Sequence, residues 1–159
     1  MEQICCYVTT RLTLQLPIKV KSQTRHKLKM NRVLLLQHYL EPHHMGALQD
    51  ADVVGQEGLE GPEPFMKIYL KWDTERISEA WFETYGCPSM IRCGDWLTKW
   101  AVGRQLSSLS VLEAKDLQLV VGGLPLGKEF CAQMTVDALG DGVEGASKRI
   151  HSISGSTPS

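Results

Sequence analysis

The chain has 159 residues, 43% of them hydrophobic, and its 17 basic and 18 acidic residues give a formal net charge of −1. This length allows one hydrophobic core with tails and leaves little chain for a second domain. Residues 1–29 are basic and the remainder is acidic, so we expect no nucleic acid partner, because phosphate binding needs clustered Lys and Arg. The basic segment is too polar to span a membrane.

The cysteine content indicates a reducing compartment. Five cysteines are scattered along the chain without a secretory signal before them: Cys5, Cys6, Cys87, Cys93 and Cys131. An odd, dispersed set does not suit a disulfide framework. We therefore predict a cytoplasmic location, with a mitochondrial one as the alternative if residues 1–29 are a leader.

The N-terminal part predicts little regular structure. We interpret residues 1–29 as a disordered extension or as the product of a start codon placed too early, with Met30 as the true start. Residues 31–40 predict a short helix that Pro42 ends. Residues 46–64 are rich in Gly, Asp and Glu and predict a loop.

A β-hairpin is predicted after this loop. Apolar and polar residues alternate over residues 65–72, which is typical of a half-buried strand. Residues 73–75 form a plausible turn, and residues 77–85 continue as a second strand. The two strands are therefore expected to pair in antiparallel fashion.

Helices are predicted in the second half of the chain. A helix begins at Pro88, since proline is favourable at the first helical position, and Gly103 ends it. Residues 107–110 and 114–121 predict two short helical pieces, and residues 130–139 predict a last helix.

The C-terminal residues are rich in Gly and Ser after Gly140, which favours disorder. We therefore predict that the last helix ends near Leu139 and that residues 143–159 are a flexible tail. A single domain is expected over residues 30–142.

Cys87 and Cys131 are the candidate reactive residues, because each is expected at a helix start. Free amides and the helix dipole at such a position stabilise a thiolate, the form that binds metal or attacks sulfur. A free cysteine is also commonly a small buried hydrophobe, so position alone leaves both roles open. Cys93 is six residues beyond Cys87, roughly 240° around the helix, and is interpreted as packing.

Several segments together resemble the U-type iron–sulfur cluster scaffold family, which includes the NifU N-terminal domain and IscU. The resemblance runs in order from about residue 31 to about residue 142. It is carried by the segments HYLEPHHMG (38–46), MKIYLK (66–71), FETYGC (82–87), LTKWAVG (97–103), and GLP with FC (123–125 and 130–131).

This resemblance implies an α+β fold in which helices pack on a small three-stranded antiparallel sheet. It implies that Cys87 and Cys131 bind iron and a transient iron–sulfur cluster of the [2Fe-2S] type. Zinc is an alternative metal, since soft thiolates also bind it. The implied partners are a cysteine desulfurase that supplies sulfur and apo-proteins that accept the cluster. Such a protein is a scaffold or carrier, not an enzyme.

The chain departs from the family pattern at two ligand positions. The family's first cysteine lies in a Cys-Gly-Asp turn before the first long strand, where residues 61–65 here read GPEPF, and Phe130 replaces a histidine before the third cysteine. Two thiolates remain, with Glu63 and Cys93 as weaker candidates, whereas a cluster or zinc takes about four ligands. A homodimer in which each chain contributes Cys87 and Cys131 would supply four.

Two other hypotheses about the function remain open. The chain is alternatively a degenerate family member that serves as an interaction module without a cluster, or a thiol protein that uses Cys87 in persulfide transfer, for which no base is evident in the sequence. Residues 124–128 resemble a segment gripped by a dedicated chaperone in some family members, although a Pro-Gly connector also explains them.

Overall fold

The computed structural model describes residues 42–154, without the side chains of residues 153 and 154. Within this range the sheet has the order β1-β2-β3 and is antiparallel throughout, with β1 Val53–Glu57, β2 Phe65–Asp73 and β3 Arg76–Tyr85. The helices are α1 Pro88–Ala101, a 3₁₀ helix Leu106–Val111, α2 Ala114–Val120 and α3 Glu129–Ser154. The predicted α+β fold with a three-stranded antiparallel sheet is confirmed. The helix predicted at 31–40 and the segment 1–29 lie outside the described residues.

The β2–β3 hairpin follows the predicted alternation. Met66, Ile68 and Leu70 of β2 are fully buried, as are Phe82 and nearly all of Ile77 on β3. One face of the hairpin is therefore buried in the core, and the helices pack against it.

Strand β1 corrects the prediction that residues 46–64 form a loop. Residues Val53–Glu57 pair with β2, from Val53 opposite Leu70 to Glu57 opposite Met66. The strand is short and lies at the sheet edge, and its central Gly55 breaks the apolar pattern that marks a strand. Gly55 is required there because an added Cβ would overlap the backbone of α3.

Helix α3 corrects the prediction that the last helix ends near Leu139. It continues to Ser154, so residues 143–154 are helical and not a flexible tail; residues 155–159 lie outside the described part. The glycines that suggested disorder instead permit close packing. A Cβ on Gly142 would lie 3.2 Å from the Gly55 nitrogen, and one on Gly145 would lie 3.1 Å from Val53 Cγ2.

Helix α1 was predicted correctly, including its start at Pro88. It packs directly on β3, since a Cβ on Gly94 would overlap the ring of Phe82. The short helical pieces predicted at 107–110 and 114–121 are confirmed as the 3₁₀ helix and α2. None of the helices between residues 42 and 154 has the length and apolar character needed to cross a bilayer.

Candidate functional site

The packing of α1 and α3 brings the Cys87 and Cys131 sulfurs within 3.4 Å of each other. Cys87 is the N-cap of α1, in extended conformation, and Pro88 follows it. Cys131 lies in the first turn of α3, after a turn in which the Lys128 N–H donates to the Pro125 carbonyl at 3.0 Å. Two helix starts therefore present their thiols at one end of the domain.

The surroundings of Cys87 favour its thiolate. Partial burial alone would raise the pKa of Cys87, but hydrogen bonds donated to its sulfur by Cys131 and by groups of Met90 and Ser89 outweigh it and lower the pKa below the ordinary thiol value. Met90 and Ser89 lie at the start of α1, where backbone N–H groups are free to bind an anion. Cys87 is therefore the thiol that ionises first.

Burial disfavours the thiolate form of the other two cysteines in the described part of the chain. Burial raises the pKa of Cys131 to about 12, and the hydrogen bond to Cys87 and the charge of Cys87 add to this effect, while Lys128 opposes it. Burial likewise raises the pKa of Cys93 to about 12, opposed by Arg92. Both side chains are fully buried. The pair thus consists of a partly exposed thiol with a lowered pKa and a buried thiol with a raised pKa, and the two sulfurs are within hydrogen-bond distance.

Alkylation with iodoacetamide should show this difference directly. Because the pKa of Cys87 is lowered from the ordinary thiol value of 9.0, we expect its rate of alkylation to reach half-maximum at a pH below 9.0. Cys93 and Cys131 should stay unmodified in the folded protein. Peptide mass spectrometry of samples quenched at several pH values measures each site separately. Equal rates at Cys87 and Cys131 would contradict the assignment.

The separation of the sulfurs suits two ligands of one metal ion. Two thiolates bound to a tetrahedral ion at about 2.3 Å lie about 3.8 Å apart, so an adjustment of a few tenths of an ångström places both on one iron or zinc. The positive charge of Lys128 acts on the Cys131 sulfur and would favour a bound anionic cluster. The site geometry therefore fits half of a four-ligand set.

The weaker ligand candidates do not join the pair. Glu63 is exposed, and Cys93 is buried in the hydrophobic core. Over residues 42–154, no group of three or more His, Cys, Asp or Glu side chains is placed to hold a metal ion. Phe130, at the position of the family histidine, is 41% exposed and lies beneath the Lys128 ammonium group, 5.6 Å from its ring centre.

Sequence reasoning missed Ser89 and Lys128, which act on the two sulfurs. A signal for each was present. Ser89 follows the Cys-Pro pair in the first turn of a helix, and Lys128 precedes the start of the next helix by one residue. Their relation to the thiols depends on backbone geometry that periodicity does not provide.

The α+β fold thus carries two adjacent thiols at the starts of α1 and α3. The family model described as the NifU-like N terminal domain matches residues 30–152. The chain therefore belongs to that family, and the resemblance seen in the sequence is confirmed. The match also extends past residue 142, in agreement with the full length of α3.

Individual relatives and a solved structure agree with this assignment. The chain is 31% identical over 102 residues to iron-sulfur cluster assembly scaffold protein IscU 1 of Archaeoglobus fulgidus, which covers 64% of this chain and 67% of the relative. It is 33% identical over 107 residues to the scaffold protein IscU of Aquifex aeolicus, covering 66% and 68%. A crystal structure of a hypothetical protein superposes with a TM-score of 0.58 at 16% identity, covering 71% of this chain and 96% of the other, which supports the fold.

Proposed function

We propose that this chain is a scaffold that assembles an iron–sulfur cluster on Cys87 and Cys131 and passes it to apo-proteins. The observation that carries the proposal is the 3.4 Å separation of the two sulfurs at the end of a NifU-like domain. Relatives named as iron-sulfur cluster assembly scaffolds support it. In this role the chain holds and hands over its cargo and is not an enzyme.

A second copy of the chain completes the ligand set in this proposal. One [2Fe-2S] cluster needs about four ligands, two on each iron, and one chain offers a pair with the spacing for a single iron. Exposed apolar residues flank the pair, since Tyr85 is 58% and Phe130 41% exposed. Two chains that meet at this end would bury these side chains and place four thiolates around two irons.

Sulfur supply and cluster delivery require other proteins. We propose a cysteine desulfurase as the sulfur donor and apo iron–sulfur proteins as acceptors. A chaperone contact at residues 124–128 is a further part of the proposal, and it is supported by the side chain of Leu126, which is 98% exposed in the turn before α3. An apolar side chain this exposed on a turn is available to a partner.

Anaerobic reconstitution with ferrous iron and sulfide tests the proposal. We expect charge-transfer absorption in the visible range, about one iron and one sulfide per chain, and a dimer by light scattering. Cys93→Ala is the matched control, because Cys93 is buried in the hydrophobic core, and it should reconstitute as the wild type does. A wild-type protein that remains colourless would show that it is not a scaffold of this kind.

A further inference from the structure

We propose that the outer edge of β1 is a surface for pairing with β1 of a second copy of the chain, and that Asp141 and Arg149 of α3 keep this surface closed. The inference concerns the sheet edge and is independent of the proposed function. A strand edge presents unpaired N–H and C=O groups, to which another strand can add. The groups that cover each edge of the sheet therefore determine where the chain can self-associate.

The edge formed by β3 is covered by backbone. The sheet has the order β1-β2-β3, so its two edges are β1 and β3. Phe82 and Ile77 of β3 exchange backbone hydrogen bonds of 2.8–2.9 Å with residues 44–46 and 103–104. These two segments occupy positions that an added strand would take. They therefore block strand addition along β3.

Side chains of α3, and not backbone groups, bond to the outer edge of β1 over residues 42–154. The Gln56 N–H donates to the Asp141 carboxylate at 3.0 Å, and the Arg149 guanidinium donates to the Asp52 carbonyl oxygen next to the start of the strand. A carboxylate thus meets a backbone donor, and a guanidinium meets a backbone acceptor. Both contacts are exposed to solvent, so they close the edge without burying a charge.

The spacing of the two side chains matches the strand. Asp141 and Arg149 are eight residues apart, which is about 12 Å along a helix. Gln56 and Asp52 are four residues apart, which is about 13 Å along a strand. The helix runs antiparallel to the strand, and it can therefore hold both ends of the strand edge at the same time.

The partner that fits this edge is an identical strand. Two β1 strands can pair in antiparallel fashion across a two-fold axis, which would join two three-stranded sheets into one of six strands. Such a pair is self-complementary, because each copy supplies the same donors and acceptors. Val54 of β1 is 43% exposed and would add an apolar contact between the strands.

Sedimentation of the reduced, metal-free full chain tests this inference, since the dimer of the proposed scaffold forms on its cluster. Asp141→Ala with Arg149→Ala removes both contacts, and alanine keeps α3 helical. We expect this double variant to dimerise at least about tenfold more tightly than the wild type, because a hydrogen bond to a charged group that competes with pairing contributes about that factor. A double variant that sediments as the wild type does at every concentration would overturn the proposal.

Asp137→Ala with Lys148→Ala is the matched control. It makes the same change of charge on the same helix, but these residues bond within α3, where Asp137 accepts from Gln133 and Lys148 donates to Glu144. The control variant should sediment as the wild type does. If it dimerises as tightly as the double variant, the charge of α3 and not the two edge contacts governs association.

Val54→Pro locates the contact between the chains. Residues two apart in a strand direct their N–H groups to the same side, so the Val54 N–H faces the outer edge as the Gln56 N–H does. Proline removes this donor without removing a bond to β2. Adding Val54→Pro to the double variant should restore wild-type sedimentation with an unchanged circular dichroism spectrum. A dimer that survives the proline would show that the chains meet elsewhere.

Discussion

Serine in place of Cys87 or Cys131 is expected to lower the iron retained after reconstitution more than about tenfold. In a site shared by two chains, each substitution removes two of the four thiolates, one from each copy. A serine hydroxyl is a harder and much weaker ligand for iron than a thiolate. Iron and sulfide analysis after anaerobic gel filtration measures the loss. Wild-type iron content in either variant would contradict the ligand assignment.

Mixed dimers separate a shared site from a site within one chain. Wild-type chains are reconstituted with an excess of tagged Cys131→Ser chains, and the tagged complexes are isolated. A shared site leaves three thiolates for the one cluster of the mixed dimer, so iron per mixed dimer should fall below half of the wild-type content. A site within one chain predicts half of the wild-type content per mixed dimer, because the wild-type chain keeps both of its own thiolates.

Alanine in place of Gly55 is expected to destabilise the apo-protein by about 3 kcal/mol. The added Cβ would overlap the Ala138 carbonyl oxygen and the Gly142 amide nitrogen, which are backbone atoms of α3 and cannot move aside as a side chain can. For a chain of this size the loss corresponds to a fall in Tm of roughly 6–12 °C. Thermal and urea unfolding followed by circular dichroism measure it.

Gly140→Ala is the matched control for this substitution. Gly140 lies in α3, the helix that Gly55 contacts. It is exposed and has open space where the Cβ would be added. Alanine is the better helix former, so the variant should gain about 0.5–1 kcal/mol. If Gly55→Ala and Gly140→Ala unfold at the same midpoint, the close approach of β1 and α3 does not contribute to stability.

The elements that the sequence predicted are those whose buried residues recur at a regular period. Strand β2 buries Met66, Ile68 and Leu70 with period two, and α1 has apolar residues at helical spacing after Pro88. Strand β1 and the second half of α3 were not predicted, because the glycines that obscure their patterns lie where the two elements contact each other. Gly55 and Gly142 are glycines because their backbones nearly touch, and this requirement is invisible until both elements are placed.

Part of the candidate site could be predicted from local sequence signals. Pro88 and the turn before α3 placed Cys87 and Cys131 at helix starts, and the burial of Cys93 in the core agrees with its interpretation as a packing residue. The 3.4 Å separation of the sulfurs depends on how α1 and α3 pack against each other, which no local pattern determines. The same holds for the opposite pKa shifts of the two thiols, because burial is a property of the assembled core.

The contact between β1 and α3 also bears on synthesis of the chain. The two elements lie near opposite ends of the described sequence, and a chain is made from its N terminus. The β2–β3 hairpin can therefore form early, while the apolar face beside Leu70, over which Gly142 packs, has no cover. That face becomes protected from aggregation only after the last helix has left the ribosome.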